Sequence, residues 1–423
     1  MNMSKPTAVE NLSTTPIRTI ELSKKVDLIN LIPDLPANQV FSWVRNNQGI
    51  VAWGINTKEN FSGTERFSRA HKWWKEFVDN CSIRDEVLTS SSGAISFVSF
   101  SYLAESSSVV VVPEVVVGQN SDKTWLTVIG DIDIEKIQAA IYAPKEVAKA
   151  PVNLTWTKGS ISIDEWQKGV EKAVTRINNK ELDKVVLARD LNAQADEVID
   201  PRYVLTNLSN SYPECWSFAV DGLIGATPEL LIRRSGDAVL SRVLAGTIRR
   251  DETANDSELA ITLLKSGKDL EEHEFAVTSV ATSLALHCTD MKVPSTPRVL
   301  RLSNVAHLAT DISGTLVDSA PALVLAGSLH PTAAICGTPT GRAKSLIKEL
   351  EQMDRNRYTG PVGWINAKGD GELGIALRCA EIIENKARLF AGCGIVSEST
   401  PKDELAESDA KFAAMKDALT LGQ

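Results

Sequence analysis

Polar residues fill the first twenty positions, which are rich in Ser, Thr and Pro, and this predicts a flexible N-terminus over residues 1–20. Apolar and polar residues begin to alternate near Gln39. Gly49-Ile-Val-Ala-Trp-Gly and Ala94-Ile-Ser-Phe-Val-Ser-Phe have the composition and length of strands with one buried face. Between them, Glu65–Asn80 has helical spacing, with Phe67, Trp74 and Phe77 on one stripe. Strands are also expected over 106–117 and 125–129. The stretch Ala143–Thr157, with two prolines and scattered lysines, reads as a linker.

Beyond it, a helix opens at Ile163-Asp-Glu-Trp and runs toward Asn178, with Trp166, Val170 and Val174 spaced for burial. Strands are expected over 184–190, 215–220, 230–233, 302–308, 313–317, 363–365, 372–382 and 388–395. Helices are expected across 255–286, 341–353 and 403–419. Hairpin-like strands beside separate helices point to an α+β fold rather than a regular βαβ wind. The chain divides into a sheet-forming part, 21–150, and a larger part, 151–423, that intertwine as one domain.

Composition narrows the partners. With 43% hydrophobic residues the chain has ample material for a core. A net charge of −9 argues against nucleic acid or an anionic membrane, yet allows an anionic substrate held through a cation. None of the six cysteines forms a CxxC pair, as expected of reduced structural thiols. The opening Met1-Asn-Met-Ser-Lys lacks the apolar run of a signal peptide, and the valine-rich run at 109–117 is too short to span a bilayer. The expectation is a cytoplasmic protein with no obligatory protein partner.

Several patterns carry candidate chemistry. Asp269 and Glu272 lie three apart in one predicted helix, and Glu404 and Glu407 three apart in the last, so each pair shares a helix face. If the two faces meet, four carboxylates converge and need a cation; all-oxygen ligation suits Mg²⁺. Taken alone, each pair is also what an ordinary solvated helix face looks like. Lys184, in Asp183-Lys-Val-Val-Leu-Ala-Arg-Asp, is a candidate base if its apolar strand desolvates it, or an edge-strand lysine. Glu229, in Gly225-Ala-Thr-Pro-Glu-Leu-Leu, is a candidate buried acid or a glutamate flanking a surface turn. The glycine-bearing turns Leu244-Ala-Gly-Thr, Gly369-Asp-Gly-Glu and Ala391-Gly-Cys-Gly-Ile match neither a Walker nor a Rossmann motif.

Those patterns occur in one order. They continue through His307-Leu, His330-Pro-Thr, Tyr358-x-Gly-x-Val-Gly-Trp and Ala376-Leu-Arg to Glu404-x-x-Glu407 followed by Lys411. From about residue 160 onward the series resembles the chorismate-utilising enzymes: isochorismate, salicylate, anthranilate and aminodeoxychorismate synthases. The resemblance implies an anthranilate synthase component I-like fold, with two antiparallel sheets forming a sandwich flanked by helices. It implies chorismate as substrate and Mg²⁺ as cofactor. Lys184 then corresponds to the base that activates water, and Glu229 to the acid that protonates the departing hydroxyl. Glu272 and Glu407 correspond to direct metal ligands, Asp269 and Glu404 to the water-mediated shell. Arg378 and Tyr358 correspond to binders of the enolpyruvyl carboxylate, and Gly392 to a backbone donor. Lys411 supports the metal-bound carboxylate, and Gly246, Thr247, His307 and Leu377 line the ring pocket.

Within the family, Lys184 favours water over ammonia as nucleophile. Ala245 stands where aminodeoxychorismate synthases often carry lysine, and Gly337-Thr-Pro-Thr lacks the lysine of the amine-forming branches. His330-Pro-Thr is similar to the isochorismate synthases, an isomerase branch that serves menaquinone or siderophore formation. Salicylate synthase and an anthranilate synthase large subunit are the competing readings. Val243, Ala333, Leu405 and Thr227 depart from the usual residues at positions that concern packing more than chemistry.

Overall fold

The computed structural model describes residues 14–249, 255–303 and 305–421. Two large sheets face each other, thirteen strands in one and ten in the other among the described residues. Each sheet joins the two parts of the sequence. In the larger sheet Val40–Arg45 pairs with Trp216–Val220, and in the smaller Ile95–Ser99 pairs with Pro361–Asn366. Phe41 and Phe218 from one sheet and Phe97, Val362 and Trp364 from the other form one buried apolar cluster, which makes the pair a sandwich.

The helices form for local reasons and then cover the sheets. Ile163–Asn178 begins with a capping box between Ser162 and Glu165 and buries Trp166, Val170 and Ala173. It packs, with the last helix Pro401–Thr420, against the larger sheet. Gly267–Leu284 is capped by Ser266 and packs against Ala238–Arg249 of the smaller sheet. Among the described residues, no helix is long and apolar enough to cross a membrane.

The structure corrects several expectations. Residues 1–13 lie outside the described residues, but the predicted flexible start fails over 15–20, because Thr15–Leu22 is a strand. It pairs antiparallel with Thr124–Ile129 and parallel with Cys81–Asp85, so the larger sheet is not wholly antiparallel. Ile17 and Leu22 are buried there, and Thr19 hydrogen-bonds Thr127 at 2.8 Å, which accommodates polar residues in an inner strand. The end of the expected linker joins the sheet as Thr155–Lys158. The two strands expected over 302–317 are one, Val305–Leu316; its polar centre is satisfied by Arg242 on Asp311 and His273 on Thr310. The strand expected over 372–382 is two, Gly371–Ile375 and Cys379–Ile383, broken where Arg378 adopts φ +47°.

Gly337–Thr338 pairs with Lys184 and Val185 at the start of the strand Lys184–Gln194. Gly337 has φ +140°, and a β-carbon there would lie 2.1 Å from the Lys184 carbonyl oxygen. Gly337→Ala is therefore expected to destabilise the protein by about 1–3 kcal/mol, the range for a strained backbone position. The measurement is urea unfolding, with a lower midpoint at unchanged slope.

Candidate active site

The break at 376–378, the strand Lys386–Ile395, the ends of Ala238–Arg249 and Val305–Leu316, and the helices Gly267–Leu284 and Pro401–Thr420 converge on one cavity of about 80 Å³. Glu229, Gly246, Thr247, Glu272, His307, Tyr358, Leu377, Arg378, Gly392 and Lys411 line it. The other expected residues stand one layer behind. Lys184 Nζ is 3.1 Å from Glu272 Oε1, Asp269 accepts the Thr247 amide at 3.2 Å, and Glu407 accepts from Lys411 at 2.7 Å. The candidate ligand atoms of Cys393, Glu404 and Glu407 lie within 4.8 Å of one another.

The carboxylates form one wall behind the cavity, as the i, i+3 spacing on two helices predicts, and of the four only Glu272 lines the cavity itself. Each glutamate of this group has a lysine: Glu272 has Lys184, Glu407 has Lys411, and Glu404 accepts from Lys268 at 2.7 Å. Burial works against charge on Glu272, but Lys184 and Lys411 outweigh it and hold its carboxyl below the usual range. Glu404 is pushed up to about 7, first by burial and then by Glu407. Its Oε2 is buried without a hydrogen-bond partner. Burial also raises Asp269. The wall is thus rich in oxygen donors and short of positive charge. A β-carbon at position 394 would lie 2.0 Å from Glu272 Oε1, so a side chain there would displace that carboxylate.

Glu229, Arg378 and His307 line the same cavity in a different setting. Glu229 is buried beside the bulge that starts Leu230–Ser235, and its amide donates to Thr227 Oγ1 at 3.3 Å. Thr227, which replaces a common serine, therefore still supplies a hydroxyl. Burial pushes the Glu229 carboxyl up to about 8, against the pull of Lys184 and Lys411. Arg378 Nη2 donates to His307 Nε2, while Nη1 is buried without a partner. A guanidinium cannot accept, so His307 carries its proton on Nδ1, which faces Thr247 Oγ1 at 3.1 Å and the Gly246 carbonyl at 3.3 Å. Burial, with Arg378 and Lys411 nearby, keeps that ring neutral. Tyr358 stacks on Phe390 at 5.1 Å.

The profile of a known group, described as chorismate binding enzyme, matches residues 10–420. The chain belongs to the chorismate-binding enzymes. Isochorismate synthase DhbC of Bacillus subtilis (strain 168) is 40% identical over 269 residues, 60% of this chain and 68% of that one. Isochorismate synthase EntC of Escherichia coli (strain K12) is 38% identical over 256 residues, 59% of this chain and 66% of that one. The crystal structure of DhbC from Bacillus anthracis superposes with a TM-score of 0.76 at 30% identity, covering 91% of this chain and 97% of that one. MenF, the menaquinone-specific isochorismate synthase from Escherichia coli, gives 0.79 at 24% identity and 96% coverage of each chain, a likeness of fold alone.

Sequence reasoning missed other parts of this candidate site. Lys268, the partner of Glu404, was visible only as the residue preceding Asp269. Cys393 fills the variable place in Ala-Gly-x-Gly-Ile, and its Sγ donates to the Glu404 carbonyl at 3.3 Å. Val186, Ile335 and Thr359 also line the cavity and had no signal.

Glu229 yields a stability prediction. Its folded-state carboxyl, at about 8, stands above the ordinary 4.5, so between those values the folded chain binds the extra proton. Its contribution is fully present below about 4.5 and is lost as pH rises toward about 8. Glu229→Gln is expected to lose less stability than the wild type between pH 5 and 8. Urea midpoints of both proteins across that window check this.

Proposed function

We propose that this chain is an isochorismate synthase, an isomerase that adds water at C2 of chorismate and removes the C4 hydroxyl, with Mg²⁺ as cofactor. The observation that carries the reading is the split between two buried groups beside one cavity. Glu229 is held protonated near neutral pH, and Lys184 stands against Glu272, which lines the same cavity. A base and an acid at different points of the ring are what this reaction requires.

In the proposed reaction Lys184, freed from Glu272 and acting as the neutral amine, takes a proton from water as the oxygen bonds to C2. Both ring double bonds shift by one position and the C4–O bond breaks. Glu229 gives its proton to the departing hydroxyl, so one water is consumed and one released. Arg378 Nη1, buried without a partner, suits a substrate carboxylate, and Tyr358 borders the same space. Neutral His307 holds Arg378 in place rather than adding charge.

The carboxylates offer oxygen donors that suit a hard cation, with one buried oxygen of Glu404 unsatisfied, while the Cys393 thiol beside them donates to the Glu404 carbonyl and is held protonated by burial. Glu272 and Glu407 would be direct ligands, with Asp269 and Glu404 acting through waters. Bound there, Mg²⁺ would supply the positive charge that holds the ring carboxylate.

Purified protein incubated with chorismate and Mg²⁺ is expected to yield isochorismate without pyruvate, identified by chromatography and mass spectrometry. Salicylate with pyruvate, or anthranilate with ammonia, would replace this reading by one of its relatives. Lys184→Ala is expected to abolish turnover, and Glu229→Gln to lower kcat by about 10²–10⁴-fold, as loss of a positioned acid does. The wild-type rate is expected to fall as pH rises through about 8, where Glu229 loses its proton. Chelation is expected to stop the reaction and added Mg²⁺ to restore it, with calorimetry showing Mg²⁺ binding that Glu272→Gln weakens.

A further inference from the structure

The strand Lys184–Gln194 has a full-length partner on one edge only, Lys386–Ile395. On its other edge Gly337–Thr338 covers Lys184 and Val185, and Thr155–Lys158 covers Leu191 to Gln194. Among the described residues, no strand pairs with the stretch between. Buried backbone groups there still need partners. Side chains provide most of them. The Ala188 amide donates to Glu351 Oε1 at 2.7 Å, and the Val186 carbonyl accepts from Arg355 Nη2 at 2.9 Å. The Ala188 carbonyl accepts from Trp166 Nε1 at 3.2 Å.

Glu351 ends the helix Thr340–Glu351, and Arg355 follows four residues on. The two are 2% and 1% exposed and paired, with Arg355 Nε donating to Glu351 Oε2 at 2.9 Å and Nη2 to Oε1. Arg355 Nη1 donates to the Ile335 carbonyl at 2.8 Å and reaches Thr359 Oγ1 at 3.5 Å. Its guanidinium lies over the Tyr102 ring at 4.4 Å. Val186, Ile335 and Thr359 come from three chain segments, and all three line the cavity. One side chain therefore holds three pieces of its wall, and the strand it grips begins with Lys184.

A buried ion pair is a poor device for stability alone, because desolvation offsets much of its attraction. We propose that Glu351 and Arg355 are positioning residues: together they take the place of the missing strand and set where Lys184 and the wall stand. The kinetic arm of the test rests on the proposed isochorismate synthase activity; the exchange arm does not.

Two variants test this. Arg355→Lys keeps a charge beside Glu351 but loses the planar fork that reaches Val186 and Ile335. The double variant Glu351→Leu/Arg355→Met removes both charges without stranding either. At least one of the two is expected to remain folded by circular dichroism and urea unfolding. In the folded variants kcat is expected to fall about 10- to 100-fold with KM for chorismate little changed, the scale of a small misplacement of reacting groups. The pH at which the rate falls is expected to stay near the wild-type value, since Glu229 is untouched. Amides of 184–190 are expected to exchange with deuterium faster, while those of 388–395 remain protected. Folded variants with wild-type exchange over 184–190, or with wild-type kcat, would overturn the proposal. So would failure of both variants to fold, which would make the pair a folding requirement. If the wild type does not turn over chorismate, the functional reading fails instead, and the exchange measurement alone decides the positioning role.

Discussion

Four carboxylates gathered beside a buried cavity, of which only Glu272 lines it, repel one another, and holding that charge governs how the rest of the site is built. Two helices from distant parts of the chain each contribute two of them. Lys184, Lys268 and Lys411 are threaded among the carboxylates, and each lysine takes one glutamate. The lysines do not saturate the cluster: Glu404 keeps a buried oxygen without a partner, and burial raises Asp269. Like charges at this density are tolerated only where countercharge is fixed nearby. Those lysines come from a strand and from both helices, so the two sheets and their helices must be in register before the charges can balance.

The sandwich supplies that register, and an interruption in it supplies the anion-facing side. Gly371–Ile375 and Cys379–Ile383 belong to different sheets, and the chain crosses between them at 376–378. A residue with φ +47° at this crossing carries Arg378, and His307, on a strand of the smaller sheet, accepts from it. Sheet exchange at this point brings a guanidinium beside one sheet against an imidazole from the other. The rigidity is local and geometric: Arg378, His307 and Thr247 face the cavity and hold one another.

Much of this was legible in the sequence where the cause is local. The helix Ile163–Asn178 announces itself through Ser162, Glu165 and a buried stripe, and the acidic pairs through their i, i+3 spacing. Residue roles such as those of Arg378 and Lys411 rested on the order of motifs and on family likeness, not on any local pattern. What escaped depends on pairing across long separations. Thr15–Leu22 looked like a polar tail because its partners are Thr124–Ile129 and Cys81–Asp85. The break at 376–378 looked like a continuous strand because its residues are apolar on both sides of the crossing. Lys268 had no separate signal, since its partner Glu404 is supplied by another helix.

Glu229 and Glu272 show how far the placement of one lysine decides the chemistry. Both line the same cavity and both are removed from solvent, so burial raises the proton affinity of each. For Glu272 a contact with Lys184 at 3.1 Å, with Lys411 nearby, reverses the outcome and leaves the carboxylate charged. For Glu229 the same two lysines pull in the same direction but do not overcome burial, and the acid stays protonated up to about 8. Two identical side chains beside one cavity are thus driven toward opposite protonation states by the balance of burial against lysine charge, which is the condition for one to serve as a charged anchor and the other as a proton donor. Lys184 is the first residue of its strand, so the backbone that fixes this strand also fixes which glutamate is the acid.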